Sequence, residues 1–250
     1  MSVSIKKTED LSLNAWPSHQ IEVYDGWILR YSYFYTHRTN CVEQIGPSAL
    51  PLSEKISYCE EIYRRWRTPC IFKISPITEP SLDRLLEERG YRIEHPVEVM
   101  THSLSAAPAP ALPEGVSMHV SDHVDSVWIN RLFELKGDVA DIHRKIVPGM
   151  YAAIPKDEIA VTVLSGNETC GIGLGILDRD CAGVYAIHVS ERWRKKGIAS
   201  AIVCTILDEA RKRSAKSAYL QVVEDNYPAK RLYRKLGFIR EYRCYFRVHD

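Results

Sequence analysis

The chain has 250 residues and a mass of 28.6 kDa, long for one small domain and sufficient for two of about 100–150 residues each. Its 45% apolar and 26% charged residues are the balance of a folded globular protein and exclude a disordered, collagen-like or fibrous chain. The formal net charge of +1, from 33 Lys+Arg against 32 Asp+Glu, gives no global reason to expect a nucleic-acid or membrane partner.

The opening MSVSIKKTEDLSLN has two lysines but no apolar run behind them, unlike a secretory signal. No window approaches the roughly 20 apolar residues of a membrane helix. From Tyr24-Asp25-Gly26-Trp27 through Tyr31, Tyr33 and Tyr35, aromatics alternate at period two, which predicts one side of a sheet. Arg38, Thr39 and Asn40 follow and are candidates to face a substrate. Leu52–Trp66 reads as helix, Cys70–Ile74 as strand, Pro80–Arg89 as helix, and a strand lies around Val97–Met100.

Ser103–Gly115, SLSAAPAPALPEG, holds three prolines and no helical or strand period, the pattern of a stiff, extended linker. It divides the chain into 1–102 and 116–250. Residues 1–110 carry 12 basic and 14 acidic side chains and 111–250 carry 21 and 18, a mild asymmetry. Val116–Val120 is a predicted strand. Asp122–Leu135 is a predicted helix with Ser121 as its N-cap. Gly137–Pro148 reads as a polar connection, with Asp138, Asp141 and His143 available to meet a cationic amine. Strands follow at Ile159–Leu164, Cys170–Leu177 and Gly183–Val189, joined by short polar turns that predict antiparallel hairpins.

Gly197–Ser214 is then a helix, with Ile198, Ile202, Ile206 and Ala210 recurring every four residues. Ala218–Val223 is a strand. Pro228–Leu236 is a helix with Pro near its start and Gly237 past its end. Glu241–Val248 closes as a strand. Hairpins followed by strand–helix–strand–helix imply a mixed α/β or α+β fold, a mixed sheet covered by helices. The first half echoes this ending. LDRLLEERGYRIEHPVEVM (82–100) aligns with AKRLYRKLGFIREYRCYFR (229–247), placing Gly90 on Gly237, Tyr91 on Phe238 and Leu85 on Leu232. Internal duplication explains the match; a helix ending in Gly-aromatic ahead of a strand would also give it.

Val189–Ser200, VSERWRKKGIAS, runs from a strand end through a basic turn into a helix. The first N–H groups of a helix lack internal partners and carry partial positive charge. Gly197 and Ala199 are small, and Arg192, Arg194, Lys195 and Lys196 add charge, so the segment suits a diphosphate. A solvated turn opening a buried helix has the same composition. The segment has neither the three glycines of a dinucleotide fingerprint nor the Gly-Lys-Ser/Thr of a nucleotide-hydrolysing loop.

Arg194-Lys-Lys-Gly197-Ile-Ala199 resembles the Arg/Gln-x-x-Gly-x-Gly/Ala signature of the GNAT superfamily, the acyl-CoA-dependent N-acyltransferases. Further on, Asn226-Tyr-Pro-Ala229-Lys-Arg-Leu232-Tyr233-Arg-Lys-Leu-Gly237-Phe238 resembles that family's second hallmark. The resemblance covers about 115–250. It implies a mixed, mostly antiparallel sheet that splays open, flanked by helices, with a degenerate second copy in 1–102.

By that resemblance, acetyl-CoA is the co-substrate and no metal is needed. Its pyrophosphate would meet the backbones of Arg194, Lys195, Lys196, Gly197, Ala199 and Ser200. Its pantetheine would meet the backbones of Ile187, His188 and Val189, between strands Gly183–Val189 and Ala218–Val223. Asn226 occupies a pantetheine-contacting position, and Tyr233 the position of the proton donor to the departing thiolate. A phenol of pKa about 10 stays protonated at neutral pH and can give that proton; Tyr233 packing against Ile198 or Ile202 is the alternative. The Val189 N–H could stabilise the developing oxyanion. Where some members place a glutamate base, this chain has Gly183. Tyr185 and His188 are the remaining candidates; a regular strand sends them to opposite faces, and a bulge would change that.

The first half has no such turn, with Leu86 in place of Tyr233 and Glu79 in place of Asn226, so it is expected to bind no coenzyme and to wall the acceptor site. The expected acceptor is a small-molecule amine or amino acid. A pseudo-symmetric pair within one chain points to a monomer or weak homodimer. Seven scattered cysteines without CxxC spacing read as free, buried thiols in a reducing cytoplasm. A non-catalytic acyl-CoA sensor is the alternative reading. A nucleic-acid binder using the cations of 192–196, 211–216 and 230–235 has no recognition motif to support it.

Overall fold

The computed structural model describes residues 4–105 and 112–250. Of the Pro/Ala-rich linker 103–115, residues 106–111 lie outside the described residues, whereas Ser103 closes a strand and Leu104 is buried. In chain order the elements are α1 (Ile5–Ala15), β1 (Gln20–Tyr24), β2 (Trp27–Tyr31), β3 (Val42–Gln44), α2 (Leu52–Arg65), β4 (Cys70–Ile74), α3 (Pro80–Glu88) and β5 (Arg92–Ser103). The second half contributes β6 (Ser117–Ser121), α4 (Ser126–Lys136), α5 (Asp141–Ala152), β7 (Asp157–Ser165), β8 (Glu168–Asp178), β9 (Cys181–Val189), α6 (Ile198–Lys212), β10 (Ser217–Val223), α7 (Tyr227–Lys235) and β11 (Ile239–His249).

All eleven strands form one sheet in the order β1-β2-β3-β4-β11-β5-β10-β9-β8-β7-β6. Only the β3–β4 and β9–β10 pairs are parallel; the others are antiparallel. This is the mixed, mostly antiparallel α+β sheet expected from the sequence. At its centre the halves exchange strands. β5, the last strand of the first half, pairs with β10 and β11 of the second, and β11 pairs with β4 of the first.

Helix α6 sets the position of the strands beneath it. Its Ile198, Ile202 and Ile206 lie on a row of glycines in β8, Gly171, Gly173 and Gly175. A Cβ on Gly173 would fall well inside contact with Ile202 Cγ2 and 2.7 Å from Ile187 Cδ1; one on Gly175 would lie 2.7 Å from Ile206 Cγ2. The missing side chains let helix and sheet approach more closely than any other residue allows.

Two helices depart from the sequence expectation. The polar connection read at 137–148 is mostly α5, which continues through Pro148 and buries Ile146, Val147, Met150 and Tyr151. Helix α1, in a segment assigned no element, is N-capped by Ser4 and buries Thr8, Glu9, Leu11, Ser12 and Ala15. It crosses to the second half, where Lys7 pairs with Asp180, Asn14 Nδ2 donates to Asp178 Oδ2 at 2.8 Å, and Gln221 Nε2 donates to Ser12 Oγ at 3.0 Å.

Candidate active site

Strands β9 and β10 pair only from Cys181–Ser217 to Val184–Leu220, then part. Beyond Val184, Ile187, His188 and Val189 have β8 on one side, with His188 opposite Ile172 and Val189 opposite Gly171, and no strand among the described residues on the other. The parting coincides with a bulge. Ala186 has φ +49°, and the β8–β9 register shifts between Ile172 and Leu174. The extra residue twists the strand and reorders its faces. Tyr185 and His188, which a regular strand would separate, both line the same cavity, while Ile187 packs into the core beneath α6.

Past Val189 the chain makes a short turn over Glu191–Trp193 and enters α6 at Gly197, whose φ of +85° favours glycine. No side chain caps this helix, so the N–H groups of its first turn are left for another acceptor. A Cβ on Gly197 would meet nothing within 4 Å: the residue is required by its backbone angle, and the space in front is open. Arg192, Arg194, Lys195 and Lys196 are all exposed around this tip, with Ala199 and Ser200 half-buried just behind. Arg192 is paired to Glu168 at 3.2 Å and Arg194 to Glu191 at 3.0 Å. Lys196 lies over the Trp193 ring at 4.6 Å. Lys195 and Lys196 have no carboxylate partner among the described residues.

The second motif is more structural than the sequence alone conveys. Asn226 is the N-cap of α7, its Oδ1 accepting from Ala229 N–H at 3.2 Å, which leaves its amide NH₂ and one Oδ1 lone pair for a ligand. Tyr233 belongs to the core cluster that contains Ile198 and Ile202, and its ring meets Phe238 at 5.9 Å. It is 9% exposed, and burial pushes its phenol up to about 12. The packing role is therefore what the structure displays; the hydroxyl makes no hydrogen bond to the described residues.

On the far side of β9 lies a cavity of about 90 Å³ between the halves. Trp16, Tyr35, Thr36 and Arg38 come from the first half; Lys136, Tyr151, Tyr185 and His188 come from the second. Arg30 anchors this wall by donating to the Trp16 carbonyl and pairing with Glu43 at 3.1 Å. Arg38 also borders a second cavity of about 220 Å³ beside Gln221 and Val223, the residues of β10 beyond its pairing with β9. Thr39 and Asn40, offered as substrate-facing candidates, are buried instead. Asn40 Oδ1 accepts from the N–H groups of Ser32 and Phe34 at 2.7 and 2.9 Å and shapes the turn that presents Arg38.

Gly183 has a physical cause. A Cβ there would lie 2.9 Å from both the Tyr185 hydroxyl and Tyr219 Cζ. These two tyrosines, hydroxyl to hydroxyl, fill the space a glutamate would need. Burial raises the Tyr185 phenol to about 12, which keeps it a donor. Burial, with the Lys136 charge second, lowers His188 to about 4, so its imidazole is neutral at pH 7 and able to accept a hydrogen bond. The acidic residues expected to meet an amine are not here. Asp138 and Asp141 are exposed and outside the cavity lining, and His143 Nε2 contacts the Tyr33 carbonyl at 2.9 Å. Lys136 and Tyr151, at the ends of α4 and α5, line the cavity instead. Among the described residues, one group could hold a metal: His37, Glu94 and His95 bring a ligand atom each within 4.8 Å of one another. Glu94 is already engaged by Arg92 at 2.7 Å and His37 at 3.2 Å.

Comparison with known proteins agrees with this geometry. The family described as "Probable histone acetyltransferase Rv0428c C-terminal" matches residues 2–247. The chain belongs to this acetyltransferase family, within the GNAT superfamily. The "Uncharacterized N-acetyltransferase YobR" of Bacillus subtilis (strain 168) is 24% identical over 244 residues, covering 94% of each chain. A GCN5-related N-acetyltransferase from Kribbella flavida superposes with TM-score 0.71 at 16% identity, over 98% of this chain and 94% of that one. A tandem GNAT protein from the clavulanic acid biosynthesis pathway gives TM-score 0.68 at 13% identity, over 84% and 74%. The chain is a GNAT-type acyltransferase.

The first half has a parallel pair of its own, with different surroundings. β3 and β4 meet at a single parallel pair, Val42–Phe72. The approach to α2 is closed by an internal carboxylate: Asp25 accepts from Ala49 N–H at 3.0 Å and Leu50 N–H at 3.0 Å and pairs with Lys55 at 3.3 Å. Those backbone bonds, ahead of the Lys55 charge, hold the Asp25 carboxyl below the usual range. Leu86 is fully buried, and Glu79 stands at the N-cap of α3 without capping it.

Proposed function

We propose that the protein transfers an acetyl group from acetyl-CoA to the amine of a small molecule, at the gap between β9 and β10. One observation carries the reading: the β9–β10 ladder ends at Val184–Leu220, and the chain beyond leads directly to an uncapped helix tip ringed by cations. The open edge of Ile187–Val189 offers backbone groups to an extended amide-containing arm. The tip of α6, with Lys195 and Lys196, offers N–H groups and charge to a diphosphate. Acetyl-CoA, when bound, supplies an activated acyl carbon.

The nitrogen lone pair of the amine forms the new C–N bond, the C–S bond breaks, and one proton leaves nitrogen while one reaches sulfur. His188, neutral and on the cavity wall, accepts the hydrogen bond of the incoming amine. Tyr233 is the proton donor on the thiol side. The Val189 N–H faces the developing oxygen charge. The positive field of Arg38 and Lys136 disfavours the ammonium form of the acceptor and so favours the reactive free amine.

We propose further that the chain is a tandem, residues 1–102 and 116–250, that holds one coenzyme, because Asp25 occupies in the first half the place a diphosphate takes in the second. Strand exchange within the chain supplies what a dimer would, so the protein acts as a monomer or weak homodimer without a nucleic-acid or membrane partner. No helix among the described residues is long and apolar enough to cross a membrane, and the seven free, buried thiols suit the reducing cytoplasm.

The test is calorimetry of acetyl-CoA binding together with thiol release over an amine panel. Gly197→Asp places a carboxylate at the tip, and Gly197→Asn imposes the same backbone strain without charge. Affinity should fall at least about tenfold further for Asp than for Asn, the loss of about one charge-assisted contact. Equal affinities in the two variants would place the diphosphate elsewhere.

A further inference from the structure

The charge lining the cavity between the halves is one-sided. Arg38 and Lys136 face it, no carboxylate lines it, and neither cation has an ion-pair partner among the described residues. Arg38 comes from the turn after β2, held by Asn40, and its guanidinium lies 5.9 Å from the centre of the Tyr185 ring. Lys136 ends α4 and donates to the Tyr35 hydroxyl at 2.9 Å. The larger neighbouring cavity that shares Arg38 is also lined by no carboxylate. The nearby acids are committed: Glu43 to Arg30 and Lys73, Glu9 to Lys73 and Tyr242, and Glu94 to Arg92 and His37.

Ala15 and Trp16 line the same cavity beside the two cations. A planar guanidinium on a fixed turn suits a carboxylate, which it can grip with two parallel N–H donors. The same walls are unfavourable to a lysine side chain presented by a basic peptide, whose further cations would find no partner here.

We infer that the acceptor is a small primary amine carrying a carboxylate, an α-amino-acid-like molecule whose acid is held by Arg38 and Lys136 while its amine faces His188. This rests on the acyl-transfer reading above and narrows it. The cavity, about 90 Å³, suits a compact acceptor, and the two halves each contribute one cation.

The test uses matched acceptors on the full chain: glycine, alanine and serine against their α-amides and their decarboxylated amines, with aminomethylphosphonate as the phosphate-like arm. Thiol release should give kcat/KM for the acids about 10–100-fold above the amides, the value of a charged hydrogen-bond pair. Arg38→Met and Lys136→Met should bring acid and amide to near equality with acetyl-CoA affinity retained; Arg38→Lys should keep part of the preference, showing that charge and not collapse of the turn is being read. Calorimetry with N-acetylalanine and N-acetylalaninamide reads the same site without turnover. Amides or polyamines used as well as the acids would overturn the inference, as would a preference for the phosphonate over glycine. Acid-selective binding without turnover of any amine would overturn the transfer reading and leave the anion site standing; turnover without acid selectivity would do the reverse.

Discussion

Tyr233 and His188 present opposite problems at the residue scale. Tyr233 has the chemistry of a proton donor but sits in the core against Phe238, so deletion of the whole ring would confuse packing with catalysis. Tyr233→Phe removes only the hydroxyl. Since that group bonds to no described residue, the urea midpoint should stay unchanged while kcat falls about 10²-fold, a common size for a lost general acid, with acetyl-CoA affinity little altered. Full activity in this variant would remove the donor role. His188, lowered from an ordinary 6.5 to about 4 by burial first and Lys136 second, binds its proton less tightly when folded than when unfolded. Its contribution to stability is therefore complete above pH 6.5 and lost as the pH falls toward 4. His188→Gln should be less acid-sensitive than the parent across that window. Denaturant titrations of both proteins at pH 7 and pH 4.5 check this, and an equal drop in each would show that the imidazole is solvated in the folded state.

At the scale of elements, the seat of α6 on β8 is the contact on which the tip depends. Gly173→Ala should cost about 1–3 kcal/mol by overpacking, because Ile202 Cγ2 is bound directly to a rigid β-carbon. It should also weaken acetyl-CoA binding by lifting α6. Ile202→Ala in the same chain should restore part of both, a coupling read by comparing single and double variants; strictly additive losses would mean that helix and strand do not touch as described. Much of this was legible beforehand. The four-residue recurrence of Ile198, Ile202 and Ile206 marked the buried face of α6, and Gly197 marked its start. Pro228 and Gly237 bracketed α7 because each is tied to a backbone angle that few other residues adopt. Helix α1 was hidden because Thr8, Glu9 and Ser12 are part of its buried face; their partners, such as Lys73 and Gln221, lie far along the chain. Helix α5 was masked by Pro148 and Gly149, although Ile146, Val147, Met150 and Tyr151 carry its apolar side. The bulge at Ala186, which turns Tyr185 and His188 to one cavity, has no signature in the residue types. Arg38 is one of three residues the sequence offers to a substrate after the aromatic run; its opposition to Lys136 is a product of tertiary packing.

The central exchange decides how the whole molecule holds together. β5 fills the place between β10 and β11, and β11 fills the place between β4 and β5, so a cut at 106–111 leaves each fragment with an edge that belongs to the other. The second half alone would expose the β10 side normally paired from Val97 to Ser103, and the first would lose the β11 residues opposite Cys70–Ile74. Unpaired edges of this length invite aggregation. A buried chain of charges lies wholly within the first half and touches the second through Tyr242, whose hydroxyl donates to Glu9. Glu9 on α1 meets Lys73 on β4 at 2.7 Å, Lys73 meets Glu43 at 3.1 Å, and Glu43 meets Arg30 on β2 at 3.1 Å. Burial alone would push the Glu43 carboxyl up; Lys73 and Arg30 outweigh it and hold it down. Residues 112–250 expressed alone should therefore be insoluble or unfolded, although they hold every residue proposed to meet the coenzyme, and co-expression with 1–105 should recover a soluble complex that binds acetyl-CoA. Circular dichroism and sedimentation of the separate and combined fragments test this. A folded, monomeric 112–250 fragment would show that β5 is a peripheral strand, and would leave the proposed acceptor cavity as the reason for joining the two halves.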